Sequence, residues 1–297
     1  MQNLDKNGVV ELNGQATVTL DTRELKPGFG VEIMNVDLAS ADEETLKAII
    51  DTFHRNGVML IRNQHLTPDE LSAFTASFGE LESNILKQFT VPDHPEIYIL
   101  SNKVVDGKPI GAHFDGVTWH TDATYLERPA MTTLLYGIEV PPEEGDTLIA
   151  DAVGAFNALP METKTKIDGL QVLHSYRYFT ETREYGRRQL TEQEKLDTPD
   201  VVHPLIRKHP VDGRKALFLS TGAMQRVLGM PDEEGRALIK KLADFVTQDR
   251  FIYRHKWQVG DILMWDDRCT VHRATFYDDK KYTRVMYRLW VKGDRPF

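Results

Sequence analysis

The chain has 297 residues, 41% of them apolar and 27% charged, with a formal net charge of −9. This describes a globular protein whose core needs no staples, and the acidic balance argues against a nucleic-acid partner, because phosphate binding leans on a basic surface. The single cysteine, Cys269, excludes an intrachain disulfide and a cysteine-based zinc cluster; no apolar run reaches the ~20 residues of a membrane span and no signal-peptide pattern opens the chain, so a cytoplasmic protein with no membrane association is expected.

No repeat, low-complexity tract or Gly/Ser/Pro-rich linker divides the sequence, which predicts one domain over 1–297. Ser40 and Glu43 form a capping-box pattern at the start of "SADEETLKAIIDTFHRNG", with Gly57 placed to stop that helix. The apolar run "VMLIRNQ" reads as a buried strand. A second helix opens at Thr67-Pro68-Asp69-Glu70, with Thr67 as cap and Pro68 at its first position, and ends at Gly79. Strand-like runs then dominate: "EIYILSN", "MTTLLYGIEV", "ALFLS", "DILMWDD" and "TRVMYRLWV". Amphipathic stretches at "METKTKIDGL" and "PDEEGRALIKKLADFVTQ" interrupt them. Helices followed by many short strands predict a β sandwich or barrel with helices packed outside.

A histidine followed two places later by an acid occurs three times, as His94/Glu96, His113/Asp115 and His120/Asp122. His94 sits in "PDHPE" and reads as a turn; His113 lies between glycines in "IGAHFDG" and reads as a loop. His120 and Asp122, in "WHTDATY", have strand-forming flanks, and residues two apart on a strand share a face. His272, in "WDDRCTVHRA", is the best third partner. Two histidines and a carboxylate on one face of a metal are the donor set of non-haem Fe(II) oxygenases. Spacing alone leaves satisfied core histidines as an open alternative. In "KKYTRVMYRLWVKG", Arg284, Met286 and Arg288 share one face of a strand. Arginines on an inward face require anions, and their forks suit carboxylates; a solvent-facing edge strand is the alternative.

With these features together, the sequence resembles the taurine dioxygenase / 2,4-dichlorophenoxyacetate dioxygenase family of Fe(II)- and 2-oxoglutarate-dependent enzymes. The resemblance runs from "GFGVEIMNVDLAS" to "RVMYRLWVKG" and includes "FGEL", "WHTDATY", "PPEEGDT", "HPVDGRKALF", "WDDRCTVHRA" and the Arg-x-Met-x-Arg pattern. It implies a mainly β fold with flanking helices, a double-stranded β-helix (jelly roll, cupin-like). It implies Fe(II) on His120, Asp122 and His272, with O2 and 2-oxoglutarate as co-substrates. Thr147 would touch 2-oxoglutarate, Arg284 would clamp its distal carboxylate, and Arg288 would lie near the acid group of the primary substrate. The implied reaction hydroxylates a small anionic substrate, such as a carboxylate, aryloxyalkanoate or sulfonate, as 2-oxoglutarate becomes succinate and CO2. A homo-oligomer, dimer or tetramer, is expected.

Two departures matter. Asp267 stands where the family commonly has Asn. Asn84 stands where taurine dioxygenase has a sulfonate-binding His, while nearby Lys87 matches a lysine of the aryloxyacetate enzyme. Asn84 and Lys87 are therefore substrate-side candidates, and a carboxylate is favoured over taurine. The competing readings are a non-catalytic jelly-roll module that binds a metal or small acid, and a zinc hydrolase. Cys269 is expected to be a packed thiol. Trp257 and Trp265 are expected in the core, Trp119 against the metal or simply packed, and His174 and Tyr176 either lining the substrate pocket or bonded locally.

Overall fold

Leu46, Ile49, Ile50 and Phe53 recur at helical spacing within helix α1 (Glu43–Asn56) and turn toward one apolar cluster. Its cap is Asp42, whose side chain accepts the Thr45 N–H, and not Ser40, which closes a short 3-10 turn over Leu38–Ser40. The acid two residues nearer the helix won because its oxygen reaches the third helical N–H. Gly57 ends the helix in the left-handed region (φ 69°), and a Cβ there would lie 3.1 Å from Cys269 Sγ. Helix α2 (Pro68–Ala76) carries the expected reciprocal capping box between Thr67 and Glu70.

The computed structural model describes residues 10–12, 15–83, 87–113, 115–184 and 186–297. Its principal strands are β1 (Thr22–Lys26), β2 (Phe29–Ile33), β3 (Val58–Ile61), β4 (Thr90–Val91), β5 (His94–Ser101), β6 (Ala130–Glu139), β7 (Thr147–Asp151), β8 (Ile252–His255), β9 (Ile262–Asp266), β10 (Thr270–Ala274) and β11 (Val285–Lys292). A nine-stranded sheet runs β1-β2-β3-β9-β6-β11-β5-β4, with Leu81–Glu82 pairing to β11. A three-stranded sheet runs β8-β7-β10. His94 begins β5 and does not lie in a turn; Pro95 is tolerated near the strand's start, and His94 Nδ1 meets Glu96 Oε1 at 3.1 Å. Of "ALFLS", only the first part, Lys215–Leu217, is strand.

Both faces of the large sheet are covered, which is why its strands read as continuous apolar runs. Met59, Ile61, Leu134, Ile262, Met264 and Leu289 pack against α1 and α2. Val58, Leu60, Leu135, Leu263, Trp265 and Met286 face Ile149 of the small sheet, with Trp257 among them. A further core gathers helices Ala152–Ala158 and Asp232–Val246 around Met224 and Val227. Both amphipathic stretches are helical, the first as Met161–Ile167. Among the described residues no helix is long and apolar enough to cross a membrane.

His174 belongs to this scaffold and does not line the pocket. It is fully buried, its ring lies 5.3 Å from His203 and 6.0 Å from Phe218, and among the described residues neither ring nitrogen has a hydrogen-bond partner. Burial pushes His174 down to about 3 and His203 to about 4. Above the unfolded value near 6.5 both states are neutral; below it the unfolded chain takes up protons that the folded chain refuses. Folding stability is therefore expected to fall as pH drops from about 6.5 toward 4. His174→Leu should remove one proton from that slope, about 1–2 kcal/mol at pH 5. Urea unfolding at several pH values measures it; an unchanged slope would refute the assignment.

Candidate active site

His120 does not sit on a strand of the sheet, as "WHTDATY" suggested. It forms an isolated antiparallel bridge with His272: His120 N–H donates to His272 O (3.0 Å) and His272 N–H to His120 O (2.8 Å). Beyond it the chain turns at Asp122, with Ala123 in the left-handed region (φ 54°). The alternation still holds locally, because Thr121 points away and donates to Thr270 O (3.0 Å). His272 is fixed on β10, opposite Ile149 of β7. The two imidazoles lie 4.2 Å apart. Asp122 Oδ1 is 3.6 Å from His120 Nε2 and Asp122 Oδ2 is 3.3 Å from His272 Nε2. Ligands about 2.1 Å from a common ion and at right angles lie about 3 Å apart, so this spacing suits donors around a shared divalent cation. His120 Nδ1 lies 2.7 Å from Thr118 O, which places its proton there and frees Nε2 for the shared centre.

Asp122 is almost fully buried. Burial opposes its charge, yet its contacts with both imidazoles hold it well below the usual carboxylate range. His272 is pushed down to about 4 by burial and by the neighbouring His120. Behind Asp122, Thr133 Oγ1 lies 2.7 Å from Asp122 Oδ2 and 2.7 Å from Asp267 Oδ2. One hydroxyl carries one proton, so both contacts are hydrogen bonds only if one carboxyl brings its own. Asp267 is the protonated one: burial and then the charge of Asp122 raise it well above the carboxylate range. Asp122 N–H closes the ring by donating to Asp267 Oδ1 (3.1 Å). A neutral Asp267 thus presents one donor and one acceptor, as an Asn would.

Two cavities flank the triad. The larger encloses ≈ 740 Å³ and exposes His120 and Asp122 beside Tyr98, Tyr125, Tyr176, Phe179, Arg183, Arg288 and Trp290. The smaller, ≈ 370 Å³, reaches from Ala274, on the same side of β10 as His272, to Arg284. Arg284 is buried, its Nε and Nη2 have no partner among the described residues, and burial lowers it to about 10. An isolated buried guanidinium is costly, so this cavity fits a carboxylate. Thr147 lies on β7 opposite Ala274; it accepts a hydrogen bond from Trp257 Nε1 (3.0 Å), which leaves its own proton to donate. Arg288 stands over Trp290 (4.0 Å) and Tyr98 (4.7 Å).

The structure therefore groups His120, Asp122 and His272, with Arg288 on the cleft that exposes His120 and Asp122 and Arg284 on the smaller cavity; Thr147, opposite Ala274, lines neither cavity. Lys87 is exposed on a short 3-10 turn and lines neither cavity. Asn84 lies outside the described residues. Trp119 lies under Arg273 (5.4 Å), in a separate groove, while Trp265 packs 4.4 Å from His272. Asp115, Tyr125, Phe179 and Arg183 were not singled out as site residues from the sequence; Asp115 was weighed only within the His113/Asp115 pair and set aside as loop. Tyr125 stood in the quoted motif, but the other three sit in irregular segments or a short helix with no periodic signal.

An imidazole pair and a carboxylate converging beside clefts lined by arginine form a donor set that suits one divalent metal, with cations placed where small anions could be met. The chain belongs to the family described as "Taurine catabolism dioxygenase TauD, TfdA family", whose model matches residues 21–290. It is 34% identical over 266 residues to the alpha-ketoglutarate-dependent 2,4-dichlorophenoxyacetate dioxygenase of Cupriavidus pinatubonensis, covering 86% of this chain and 91% of that protein. It is 28% identical to the (S)-phenoxypropionate/alpha-ketoglutarate-dioxygenase of Sphingobium herbicidovorans, covering 92% and 95%. Its fold is similar to the crystal structure of AAD-2 in complex with Mn(II) and N-oxalylglycine, with a TM-score of 0.79, 30% identity and coverage of 94% and 99%.

Asp267→Asn is expected to keep Mn(II) affinity within about threefold. Asp267→Ala and Thr133→Val should each weaken it roughly 10–100-fold, as loss of supporting hydrogen bonds does at metal sites. Metal titration followed by calorimetry checks this; equal losses in Asn and Ala variants would overturn the neutral-carboxyl assignment.

Proposed function

We propose that this protein is an Fe(II)- and 2-oxoglutarate-dependent dioxygenase that hydroxylates a small organic acid. His120, Asp122 and His272 are its metal ligands. The observation that carries the reading is the buried Arg284, whose Nε and Nη2 have no partner among the described residues, in a cavity that also takes in Ala274, two places along β10 from His272. A metal-binding module without chemistry would not need that cation in register with the triad. Bound ferrous iron supplies the oxygen activation that converts 2-oxoglutarate to succinate and CO2. The protein's residues do the rest by position. Arg284 and the Thr147 hydroxyl orient the co-substrate, while Arg288 meets the acid group of the primary substrate. Tyr98 and Tyr125 stay protonated, since burial raises both phenols, and so add neutral walls to the cleft.

The two packed sheets support a double-stranded β-helix, or jelly roll, and the large sheet, which draws strands from β1 through β11, supports a single domain. The named activities of relatives on aryloxyalkanoates, sulfonates and sulfate esters support a small anionic substrate.

The test is succinate formation with Fe(II), ascorbate and 2-oxoglutarate against aryloxyacetates, alkyl sulfates, sulfonates and acyl amino acids. One class should stimulate turnover. His120→Ala, Asp122→Ala and His272→Ala should each abolish it with circular dichroism unchanged. Arg284→Gln should raise KM for 2-oxoglutarate about 10–100-fold, the loss of a charge-assisted fork. Full activity in Asp122→Ala would sink the metal assignment; an unchanged KM in Arg284→Gln would sink the co-substrate site.

A further inference from the structure

Among the described residues, Asp115 alone lines both cavities. Its Oδ1 is 3.6 Å from Arg183 Nη1 and its Oδ2 is 3.8 Å from Arg288 Nη1. Both gaps exceed the 2.7–2.9 Å of a closed charge-assisted bond. Neither arginine needs Asp115 for its place. Arg183 donates Nε and Nη2 to Gly186 O (2.9 and 2.6 Å) and lies 5.2 Å over Phe179. Arg288 rests on Trp290 and Tyr98. Asp115 is in turn positioned by its neighbour, since Gly116 O accepts the Ala274 N–H (2.8 Å). Apart from Asp122 and the metal it would hold, the larger cleft thus carries two fixed cations and one tethered carboxylate, a net single positive charge.

That balance bears on a problem the enzyme faces if the dioxygenase reading holds. Its co-substrate is a dianion at neutral pH. Two open guanidiniums in the wrong cavity would bind it as well as Arg284 does. We propose that Asp115 is a charge partition: it leaves the larger cleft room for a singly charged acid on Arg288 and Arg183, and turns dianions, 2-oxoglutarate included, toward Arg284. A dianion lodged on both Nη1 groups would set its second charge against Asp115 with no further cation to meet it. Arg183 becomes the second anchor of the primary substrate, and both residues set specificity. The proposal rests on the dioxygenase reading.

The experiment uses the full chain loaded with Mn(II) and N-oxalylglycine, an unreactive dianionic analogue of 2-oxoglutarate, in equilibrium dialysis. Wild type should bind one analogue per chain. Asp115→Asn should bind two, the second site tightened roughly 10–100-fold by removal of one like charge nearby. Adding Arg183→Gln to Asp115→Asn should return the count to one. In turnover, excess 2-oxoglutarate should inhibit Asp115→Asn at concentrations harmless to wild type. Asp115→Ser, which has no charge and a smaller side chain, should behave as Asp115→Asn. One analogue per chain in both substituted proteins, with wild-type affinity, would overturn the partition while leaving the dioxygenase reading intact. A second site that survives removal of Arg183 would overturn the role of Arg183. No binding to wild type at all would defeat the dioxygenase reading and this proposal with it.

Discussion

Two backbone hydrogen bonds between His120 and His272 hold the site together. His120 lies in a chain segment with no ladder of its own, so its ring would have the freedom of a loop. The reciprocal bridge lends it the rigidity of β10, which is itself locked to β7 across five residue pairs. Two more bonds staple the same segment from its other sides: Thr121 Oγ1 to Thr270 O, and Thr221 Oγ1 to Trp119 O. The entropy of ordering the loop is met by scaffold contacts and not by a ligand. Asp122 then inherits its position from His120 and from the ring through Thr133 and Asp267. A metal site built this way is pre-organised, which is what tight and geometrically selective binding requires.

Charge is distributed to the same end. Arg284 is buried with no partner for its Nε and Nη2 among the described residues, a destabilising arrangement that the fold tolerates at a binding site. Arg288 is treated differently: two aromatic faces stabilise its cation and Asp115 stands near. The smaller cavity is therefore hungry for an anion and the larger one is nearly neutralised. Two acids of different charge can then be sorted on either side of one metal without any moving part.

Much of this was legible in the chain. The helix ends at Gly57 and the box at Thr67 were readable because capping is local chemistry. The inward face of Arg284, Met286 and Arg288 was readable because a strand has period two and Met286 does pack between the sheets. The triad was readable as residue types, but the reason given for His120 and Asp122, a shared strand, was wrong. A bridge and a left-handed Ala123 produce the convergence instead, and single-residue φ leaves no trace in periodicity. Asp42 displaced Ser40 as cap because two candidate caps stood within one turn of each other. Arg183 and Asp115 could not be assigned for a deeper reason: the cavities that give them a role exist only once distant segments have met.

The loop between β9 and β10 carries a second cluster that shows why residue type is not enough. His209, Asp266 and Cys269 offer donor atoms as closely grouped as those of the triad. Yet Asp266 Oδ1 already accepts Arg268 Nε (2.8 Å), and its Oδ2 accepts Arg268 Nη2 (2.6 Å) and meets His209 Nε2 (3.0 Å). Burial pushes the Cys269 thiol well above its ordinary value, so no thiolate is at hand. The carboxylate's lone pairs are spent on an arginine fork, and the group works as a buried brace next to β10. Among the described residues Asp122 pairs with no arginine; its side-chain neighbours are the Thr133 hydroxyl and the Nε2 atoms of the two imidazoles. The same three residue types thus become a brace or a metal site according to whether a guanidinium reaches the carboxylate first.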